Sequence, residues 1–527
     1  MTDLMIDAHQ PNGGVSAMHV RSCWRSSYTS LVILASLGML TACSLVRAPQ
    51  PEAPVAKAAR KARPASSQEP QIPAFHSPVL AVGGERELYL MWASGVLRKK
   101  QNDIHVSRSV DDGSTWGPSR SLGTDPTRNT GGRKLVVDPN GAVTAFWGAG
   151  LRTENIDVVT TRSTDRGETW TGPQRLYSGE LHVPELIVGP GGALFAVIPE
   201  GPEANWRLSF FRSTDSGKAW ERLPTLTGRH GVASQFGIRS FRVIADDQGR
   251  LHVVWQERGR GVGERIFYSR LESATAQGAW LPTAVQLSEG TGTSSRAYEP
   301  AISIDPAGHL FVAWVEVWEP VPPMKEGRFP QSVYFTRSMD GGRTWLPQPI
   351  RIGDAGPEAF RHIATHVEVA NDGRGQVYVA WRDEVGFPPV ERLVFRRSVD
   401  HGATWTSDPR SLFEVKPFPA IIKQFYLKSG GDGHVYLLWQ VAGFAWDVLF
   451  MQSGDGGATW PSRPTRLATL PQVDSGVHDI AFETRGSHLY VAWDVGPTLP
   501  SEIFLTRSTD FGKTWLAHEV QVTRRTP

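Results

Sequence analysis

The sequence predicts an all-β chain built from repeats of one four-stranded antiparallel unit. Three observations support this fold class. An octad with the pattern Ser-x-Asp-x-Gly-x-Thr/Ala-Trp recurs along the chain, as in "STDRGETW" and "STDFGKTW". Short alternating strands that end in tryptophan, such as "GQVYVAW" and "SHLYVAW", recur between the octads. The composition of 19 Trp, 53 Gly and 38 Pro suits short strands and tight turns better than helices.

The octads divide the chain into eight units. Seven clear copies are spaced by roughly 50 to 60 residues, with one interval of about twice that length. In this interval "IFYSRLESATAQGAW" keeps a strand and the final tryptophan but lacks the aspartate, so we interpret it as a degenerate eighth copy. Eight four-stranded units predict a single β-propeller over residues 76–527. The octad aspartates are Asp111, Asp165, Asp215, Asp340, Asp400, Asp455 and Asp510.

Each octad is predicted to lock a turn. The aspartate can accept hydrogen bonds from backbone N–H groups two and three residues on, and the serine can do the same or bond the aspartate. The glycine can take a positive φ, and the tryptophan can pack back into the blade. Calcium loops are the rival interpretation, which is disfavoured because each octad has one fixed acid and no bidentate glutamate. We therefore expect no metal and no cofactor.

The octad resembles the Asp box, or BNR repeat, of sialidases and related propellers, over residues 77–522. That resemblance implies a propeller fold, with six blades typical of sialidases. Sialidases hold the sugar carboxylate with three arginines and use a tyrosine–glutamate pair as nucleophile with an aspartate as acid/base. The stretch that matches their first arginine motif, "FHSPVLAV" at residues 75–82, contains no arginine.

Other residues could replace the missing sialidase motif. An arginine triad could be drawn from Arg242, Arg296 and Arg361. Tyr298 and Glu299 make a poor nucleophile pair, because adjacent residues of a strand point to opposite faces. The sequence therefore identifies no catalytic residue.

The topology of an up-and-down blade predicts where a ligand would bind. The turns between first and second strands share one face of the ring with the octads, while the loops between second and third strands and the crossovers occupy the other. Long connections in units four to six fall on this second face, which we call the mouth. The candidate ligand-binding residues there are Arg133, Arg239, Arg242, Arg296, Tyr298, Glu299, Arg361, His362, Glu257, Glu316, Asp383 and Glu384.

Two function classes stay open for this mouth. Arginines could clamp an anionic ligand, whereas the alternative is a set of solvated residues that pair with one another. We favour a tethered module that holds a glycan, an anionic carbohydrate or a protein segment without turnover. The alternative is a glycoside hydrolase of exo-sialidase type, with an arginine cluster, a Tyr/Glu pair and a carboxylate acid/base. A formal net charge of +2 gives no case for nucleic acid, and a monomer is expected.

The N-terminal region predicts export. Arg21 and Arg25 precede "LVILASLGML", which is too short to span a bilayer and fits a signal-peptide core. "LTAC" at residues 40–43 resembles the bacterial lipobox, which implies lipidation of Cys43; an ordinary signal peptide is the alternative. Residues 1–43 are thus the expected signal, and the Pro/Ala/Lys-rich residues 44–75 an expected disordered tether. We expect a lipoprotein of the outer rather than the inner membrane, attached to it by the lipid alone.

Overall fold

The computed structural model describes residues 73–96, 102–125, 133–150, 156–179, 183–201, 206–227, 238–258, 263–289, 296–317, 331–353, 362–386, 389–415, 420–443, 446–470, 475–497 and 502–523. The predicted export signal, Cys43 and the tether up to residue 72 lie outside these ranges. Within them the chain forms 32 β-strands and one three-residue 3-10 helix, Pro190–Gly192. No helix in this part of the chain is long and apolar enough to cross a membrane.

The first four blades take up the strands before residue 290. Blade 1 consists of β1 (Pro73–Val82), β2 (Leu88–Val96), β3 (Asn102–Ser109) and β4 (Arg120–Asp125). Blade 2 consists of β5 (Lys134–Val137), β6 (Val143–Gly150), β7 (Ile156–Ser163) and β8 (Gln174–Gly179). Blade 3 consists of β9 (Glu185–Val188), β10 (Leu194–Glu200), β11 (Arg207–Ser213) and β12 (Glu221–Leu226). Blade 4 consists of β13 (Ile238–Ala245), β14 (Leu251–Arg258), β15 (Glu264–Leu271) and β16 (Val285–Gln286).

The other four blades follow in the same way. Blade 5 consists of β17 (Ala297–Ile304), β18 (Leu310–Val317), β19 (Gln331–Ser338) and β20 (Ile350–Arg351). Blade 6 consists of β21 (His362–Asn371), β22 (Val377–Val385), β23 (Val390–Ser398) and β24 (Arg410–Val415). Blade 7 consists of β25 (Ile421–Gly431), β26 (His434–Ala442), β27 (Trp446–Ser453) and β28 (Thr465–Leu470). Blade 8 consists of β29 (Ser475–Arg485), β30 (His488–Pro497), β31 (Glu502–Ser508) and β32 (Val520–Gln521).

The blades form a closed ring. In each blade the four strands are antiparallel and follow chain order across the sheet. The first strands of consecutive blades pack against one another, and the first strand of blade 8 packs against that of blade 1. First strands are therefore the inner strands around the axis. The described residues confirm the predicted all-β propeller with eight units, in which the degenerate copy belongs to blade 4.

Tryptophans fill the spaces within and between blades. Those that end the second strands are 0–2% exposed: Trp92, Trp147, Trp255, Trp314, Trp381, Trp439 and Trp493. The octad tryptophans lie across the junction instead of packing back into their own blade as expected. Trp345 packs on Tyr268 with ring centroids 4.8 Å apart, and Trp515 packs on Phe450 at 4.9 Å. In blades 4 to 8 the tryptophan at the end of the octad packs on an aromatic ring of the third strand of the preceding blade.

The octads are hydrogen-bonded turns, and the Asp510 octad shows the pattern. Ser508 Oγ donates to Asp510 Oδ1 at 2.7 Å and accepts from the N–H of Gly512, whose φ is 86°. Asp510 Oδ1 accepts from the N–H of Thr514 at 2.9 Å, four residues on. Two consecutive left-handed residues, Phe511 and Gly512, curl the chain so that this later amide faces the carboxylate. In the Asp340 octad the expected amide three residues on, that of Arg343, donates to the carboxylate as well, at 3.0 Å. The hydroxyl and then the N–H of Thr514 lower the pKa of Asp510 to about 2.

In every blade except blade 7, an arginine directly before the first octad position contacts the next blade, a role that the sequence reasoning missed. Arg507 Nη1 donates to the carbonyl oxygens of Asp111 and Asp112, in the octad of blade 1, at 2.9 and 2.6 Å. In blade 7 this position is Gln452, whose Oε1 is buried without a hydrogen-bond partner. In blades 2 to 6 the arginine at this position donates to a backbone carbonyl in the octad region of the following blade; these arginines are Arg162, Arg212, Arg270, Arg337 and Arg397.

Side-chain contacts close the ring between blades 8 and 1, since their sheets share no strand. Tyr490 donates its hydroxyl to Asp112 Oδ1 at 2.8 Å. Ser77 Oγ donates to Asp479 Oδ2 at 2.7 Å. An apolar cluster of both blades lies between these contacts and includes Leu80, Leu88, Leu90, Trp92, Ile503 and Leu505.

Candidate functional site

The contacts between neighbouring turns distinguish the two faces of the ring. Glu87, in the first turn of blade 1, forms an ion pair of 3.3 Å with Arg166 in the octad of blade 2. Asp138, in the corresponding turn of blade 2, accepts from Ser216 Oγ in the octad of blade 3. First turns and octads therefore share one face, called the box face below. The mouth lies at the opposite ends of the strands, as predicted from the topology.

Backbone bridges hold the mouth of blades 3 to 6 together. Trp206 pairs with Ile238, Glu264 pairs with Arg296, and Gln331 pairs with Ile363. Each bridge joins the start of a third strand to the start of the first strand in the next blade. The candidate residues at these strand starts are thus placed on a rigid rim.

Glu257 and Glu316 are structural acids. Each accepts a hydrogen bond of 2.9 Å from the indole N–H of the tryptophan two residues earlier, Trp255 or Trp314. Glu257 is 2% exposed and Glu316 is 6% exposed, and both have further polar partners. A carboxylate enclosed in this way satisfies a buried indole, and ligand binding by Glu257 and Glu316 stays a prediction.

Blade 6 contains a second paired acid. Asp383 is buried, and its Oδ2 lies 2.7 Å from both His362 Nδ1 and Arg392 Nη2. Glu384 is half-buried, and its charge raises the pKa of the neighbouring Glu391, although burial is the larger cause. The alternative interpretation, in which mouth residues pair with one another, applies to Asp383 and His362.

Two arginines of the mouth contact different partners. Arg239 forms an ion pair of 3.4 Å with Glu264. Arg296 is exposed and hydrogen-bonds to Tyr298, whose pKa is raised by burial and lowered by this arginine. Arg133 is half-buried just before β5 and has a polar partner, and Arg361 lies outside the described residues.

Tyr298 and Glu299 point to different surroundings, at an irregularity of β17 where the pairing register shifts between Tyr298 and Ala301. Tyr298 packs on the apolar cluster of blades 5 and 6. Glu299 has a φ of 50° and accepts the N–H of His366 at 2.6 Å. The described residues do not bring the two side chains together as a nucleophile pair.

Inner strands of blades 4 to 6 bring together a group that we call the channel cluster: Arg242, Glu299, His366 and Glu368. His366 Nε2 lies 3.8 Å from Glu368 Oε1. Arg242, exposed on β13, acts electrostatically on both His366 and Glu368. Among these residues the sequence reasoning selected Arg242 and Glu299 for the site and missed Glu368.

Glu368 has the most unusual acidity of the cluster. Protein atoms around the axis desolvate its carboxylate and raise its pKa to about 7, while Arg242 opposes this effect. About a third of the side chain, 31%, is nevertheless exposed, so a ligand in the channel can reach it. Burial also lowers the pKa of His366, with Glu299 acting in the opposite direction. The signal in the sequence was a lone acid between apolar residues in "HVEVA".

Tyr426 on β25 extends this polar surface to blade 7. Its hydroxyl donates to the carbonyl oxygen of Ile480 at 2.8 Å and accepts from Gln424 Nε2 at 2.6 Å. Burial raises its pKa, and nearby carboxylates that include Glu368 and Asp479 add to the effect. Tyr426 is therefore a neutral hydrogen-bonding group at physiological pH.

Together these groups can bind an anion and exchange a proton. Arg242 supplies a charge that does not titrate near neutral pH. Glu368, with a pKa of about 7, can act as a donor or an acceptor at neutral pH. Such combinations of a fixed cation and a perturbed acid are concentrated at functional sites.

The eight blades and their octads define an Asp-box β-propeller. The model of the BNR repeat-like domain family matches residues 84–230 and 141–379, which together cover more than half of the chain. The chain belongs to this family. The comparison with curated proteins found no match to this chain.

Several solved structures are similar at low identity. An ulvan lyase, bound to an oligosaccharide of GlcA and Rha3S, has a TM-score of 0.44 and 11% identity, with 82% of this chain and 94% of that chain covered. The polysaccharide lyase Uly1 has a TM-score of 0.46 and 12% identity, covering 72% and 90%. The α-L-arabinofuranosidase of Fusarium graminearum, in complex with arabinobiose, has a TM-score of 0.37 and 13% identity, covering 59% and 88%.

Proposed function

We propose that this chain recognises an anionic carbohydrate between the mouth and the inner strands of blades 4 to 6. One observation carries the proposal: the guanidinium of Arg242 is exposed on an inner strand beside His366 and the titratable Glu368. A guanidinium matches the geometry of a carboxylate or sulfate group, and the other two groups can bond to sugar hydroxyls. Exposed Arg296, directly before the next inner strand, provides a second cation near the rim.

The rigidity of the rim supports recognition at this place. Buried Asp383 on β22 holds its two neighbouring strands through its contacts with His362 on β21 and Arg392 on β23. The backbone bridges between blades fix the strand starts that carry Arg239 and Arg296. A site whose groups are already positioned loses little conformational entropy when a ligand binds.

Calorimetry with a panel of glycans tests this proposal. The panel contains uronic-acid and sialic-acid oligosaccharides and a neutral oligosaccharide of equal length. Arg242→Ala should weaken binding of the anionic ligand by about 10- to 100-fold, which corresponds to one charge-assisted hydrogen bond.

The matched control is Arg374→Ala, since Arg374 is an exposed arginine on the box face and pairs with Asp432 at 3.0 Å. It should bind like the unaltered protein. Equal affinity for charged and neutral glycans, or equal losses in the two variants, would contradict an anion site at Arg242.

The elevated pKa of Glu368 favours a second candidate, cleavage of the bound glycan. A carboxyl group that titrates near pH 7 suits general acid–base catalysis, for hydrolysis of exo-sialidase type or for another glycan-cleaving reaction. Glu368→Gln should then reduce turnover of α-ketosidic or uronic-acid substrates by about 100-fold or more, with affinity largely retained. Absence of turnover with every substrate of the panel would contradict cleavage and would leave recognition as the proposed function.

We also propose that the protein is exported and lipidated at Cys43, with the outer membrane as its destination. Support comes from the lipobox-like "LTAC" after the apolar run. Cys43→Ala should leave the protein without lipid and free of the membrane fraction, whereas Cys23→Ala should not. Membrane retention of the Cys43→Ala protein would refute lipidation at this residue.

A further inference from the structure

We propose that Asp305, His309 and His401 form a site for a divalent transition metal that fastens blade 5 to blade 6 on the box face. The three side chains come from two blades. Asp305 and His309 belong to the first turn of blade 5, "DPAGH", and His401 follows the octad aspartate of blade 6. Their ligand atoms all lie within 4.8 Å of one another. Among the described residues no other such group of histidines and acids occurs.

The local backbone positions each of these groups. Asp305 Oδ1 accepts the N–H groups of Ala307 and His309 at 3.0 and 2.9 Å, which leaves Oδ2 directed at the histidines. The N–H of His401 donates to Gly375 at 2.7 Å, and the residue has a φ of 56°. This left-handed conformation swings the imidazole toward blade 5.

The polar atoms are buried and incompletely paired. Asp305 Oδ2 lies 2.8 Å from His309 Nδ1 and 3.9 Å from His401 Nδ1, and the Asp305 side chain is 2% exposed. His401 Nδ1 is buried and has no hydrogen-bond partner. A buried ring nitrogen that faces a buried carboxylate beyond hydrogen-bond distance is costly unless another group joins them.

A zinc-like ion satisfies this arrangement. Ligands at about 2.0–2.1 Å in a tetrahedron lie about 3.3 Å apart, between the two distances from Asp305 Oδ2 to the histidines. Imidazole and carboxylate together suit Zn²⁺ or a related ion and not Ca²⁺. Because 36% of the His401 side chain is exposed, the fourth position can be filled by water. This site differs from the calcium loops weighed in the sequence analysis, because those loops would use the octad aspartates and none of these three residues.

The junction between blades 7 and 8 shows the same contact without a carboxylate. His434 occupies the position of His309, and Phe511 occupies that of His401 with a φ of 63°. Their rings stack with centroids 4.0 Å apart. Gly430 stands where blade 5 has Asp305. The positions therefore serve packing in general, and blade 5 adds the acid that makes a ligand set.

Titration of Zn²⁺ into the chelator-stripped full-length chain, in competition with a chromophoric chelator, tests the site. The unaltered protein should bind one more equivalent of Zn²⁺ than His401→Phe at micromolar Zn²⁺, because the variant's affinity for this ion should be at least about 100-fold lower. Phenylalanine copies the natural Phe511, so the turn and the ring contact are preserved. His309→Gln is a second variant, because Gln376 occupies this position in blade 6 and bonds Asp372 at 3.1 Å.

His434→Ala is the control and should keep the extra equivalent. Zn²⁺ should also raise the melting temperature of the unaltered protein and of this control, but not of His401→Phe or His309→Gln. Equal Zn²⁺ binding by the unaltered protein and the two ligand variants would overturn the proposal. Failure of the unaltered protein to bind Zn²⁺ at micromolar concentration would do so as well.

Discussion

Replacing Arg507 with alanine should destabilise the seam between blades 8 and 1 more than an equivalent change destabilises the junction between blades 7 and 8. Arg507 Nη1 donates to two backbone carbonyls of blade 1, at 2.9 and 2.6 Å. Its side chain is 17% exposed, so water cannot fully replace these bonds. Alanine therefore leaves both carbonyls short of a donor.

The structure gives the expected magnitude. Hydrogen bonds from a charged donor contribute about 1.5–3 kcal/mol each, and two bonds that share one nitrogen are not fully additive, so a loss of about 3 kcal/mol is expected. For a propeller of roughly 450 residues the unfolding entropy converts this loss to a decrease of about 3 °C in melting temperature.

Urea denaturation and thermal melting, followed by tryptophan fluorescence, measure the effect. Gln452→Ala is the matched control, since Gln452 has the equivalent position in blade 7 and its Oε1 has no hydrogen-bond partner. This control should lose about 1 kcal/mol or less. Equal stability of the two variants would refute the role of the arginine in closing the ring.

Three further predictions concern the octads and the channel. Asp510→Ala should lower stability to urea by about 1–3 kcal/mol while glycan affinity by calorimetry stays unchanged, because the octads lie on the box face. Acid should destabilise the fold, because five octad aspartates have a pKa of about 2 in the folded protein against 3.8 when unfolded. Their ionised carboxylates therefore contribute fully to folding stability above about pH 4, and this contribution is lost toward pH 2. The effect of Glu368 on stability has the opposite pH dependence, because its pKa of about 7 in the folded protein exceeds the ordinary 4.5. Stability should therefore fall as the pH rises from 4.5 to 7. Glu368→Gln should remove this decline in urea titrations at different pH values.

Each of these predictions has a contradicting result. Loss of glycan affinity in Asp510→Ala would place the octads in the site. For acid unfolding, Asp510→Asn should show a smaller decline than the unaltered protein, and an identical decline would exclude the octads as its source. A Glu368→Gln protein with an unchanged pH profile would show that Glu368 ionises normally.

The repeat made the fold predictable from the sequence. Because the octads and strand-end tryptophans recur with regular spacing, they specify the number of blades and the face on which the octads lie. Even the degenerate copy before Trp280 could be assigned from its spacing. The details of the octad were less predictable, since the bond from Asp510 to the fourth amide depends on two left-handed residues in succession.

The candidate site was only partly predictable, because it depends on contacts between distant blades. A single strand shows that Glu257 and Asp383 follow the apolar core, but not that an indole or an arginine encloses them. Glu368 gained its raised pKa from atoms of the surrounding inner strands, which no local pattern reveals. The clamp at Arg507 likewise needs blade 1 to lie beside blade 8.

Hydrogen–deuterium exchange with and without a saturating anionic oligosaccharide tests the location of the ligand most directly. Binding at this location predicts protection in the inner strands of blades 4 to 6, at residues 238–245, 296–304 and 362–371, and no change in the octads. Protection confined to the octad turns of the box face, with the inner strands unchanged, would contradict it.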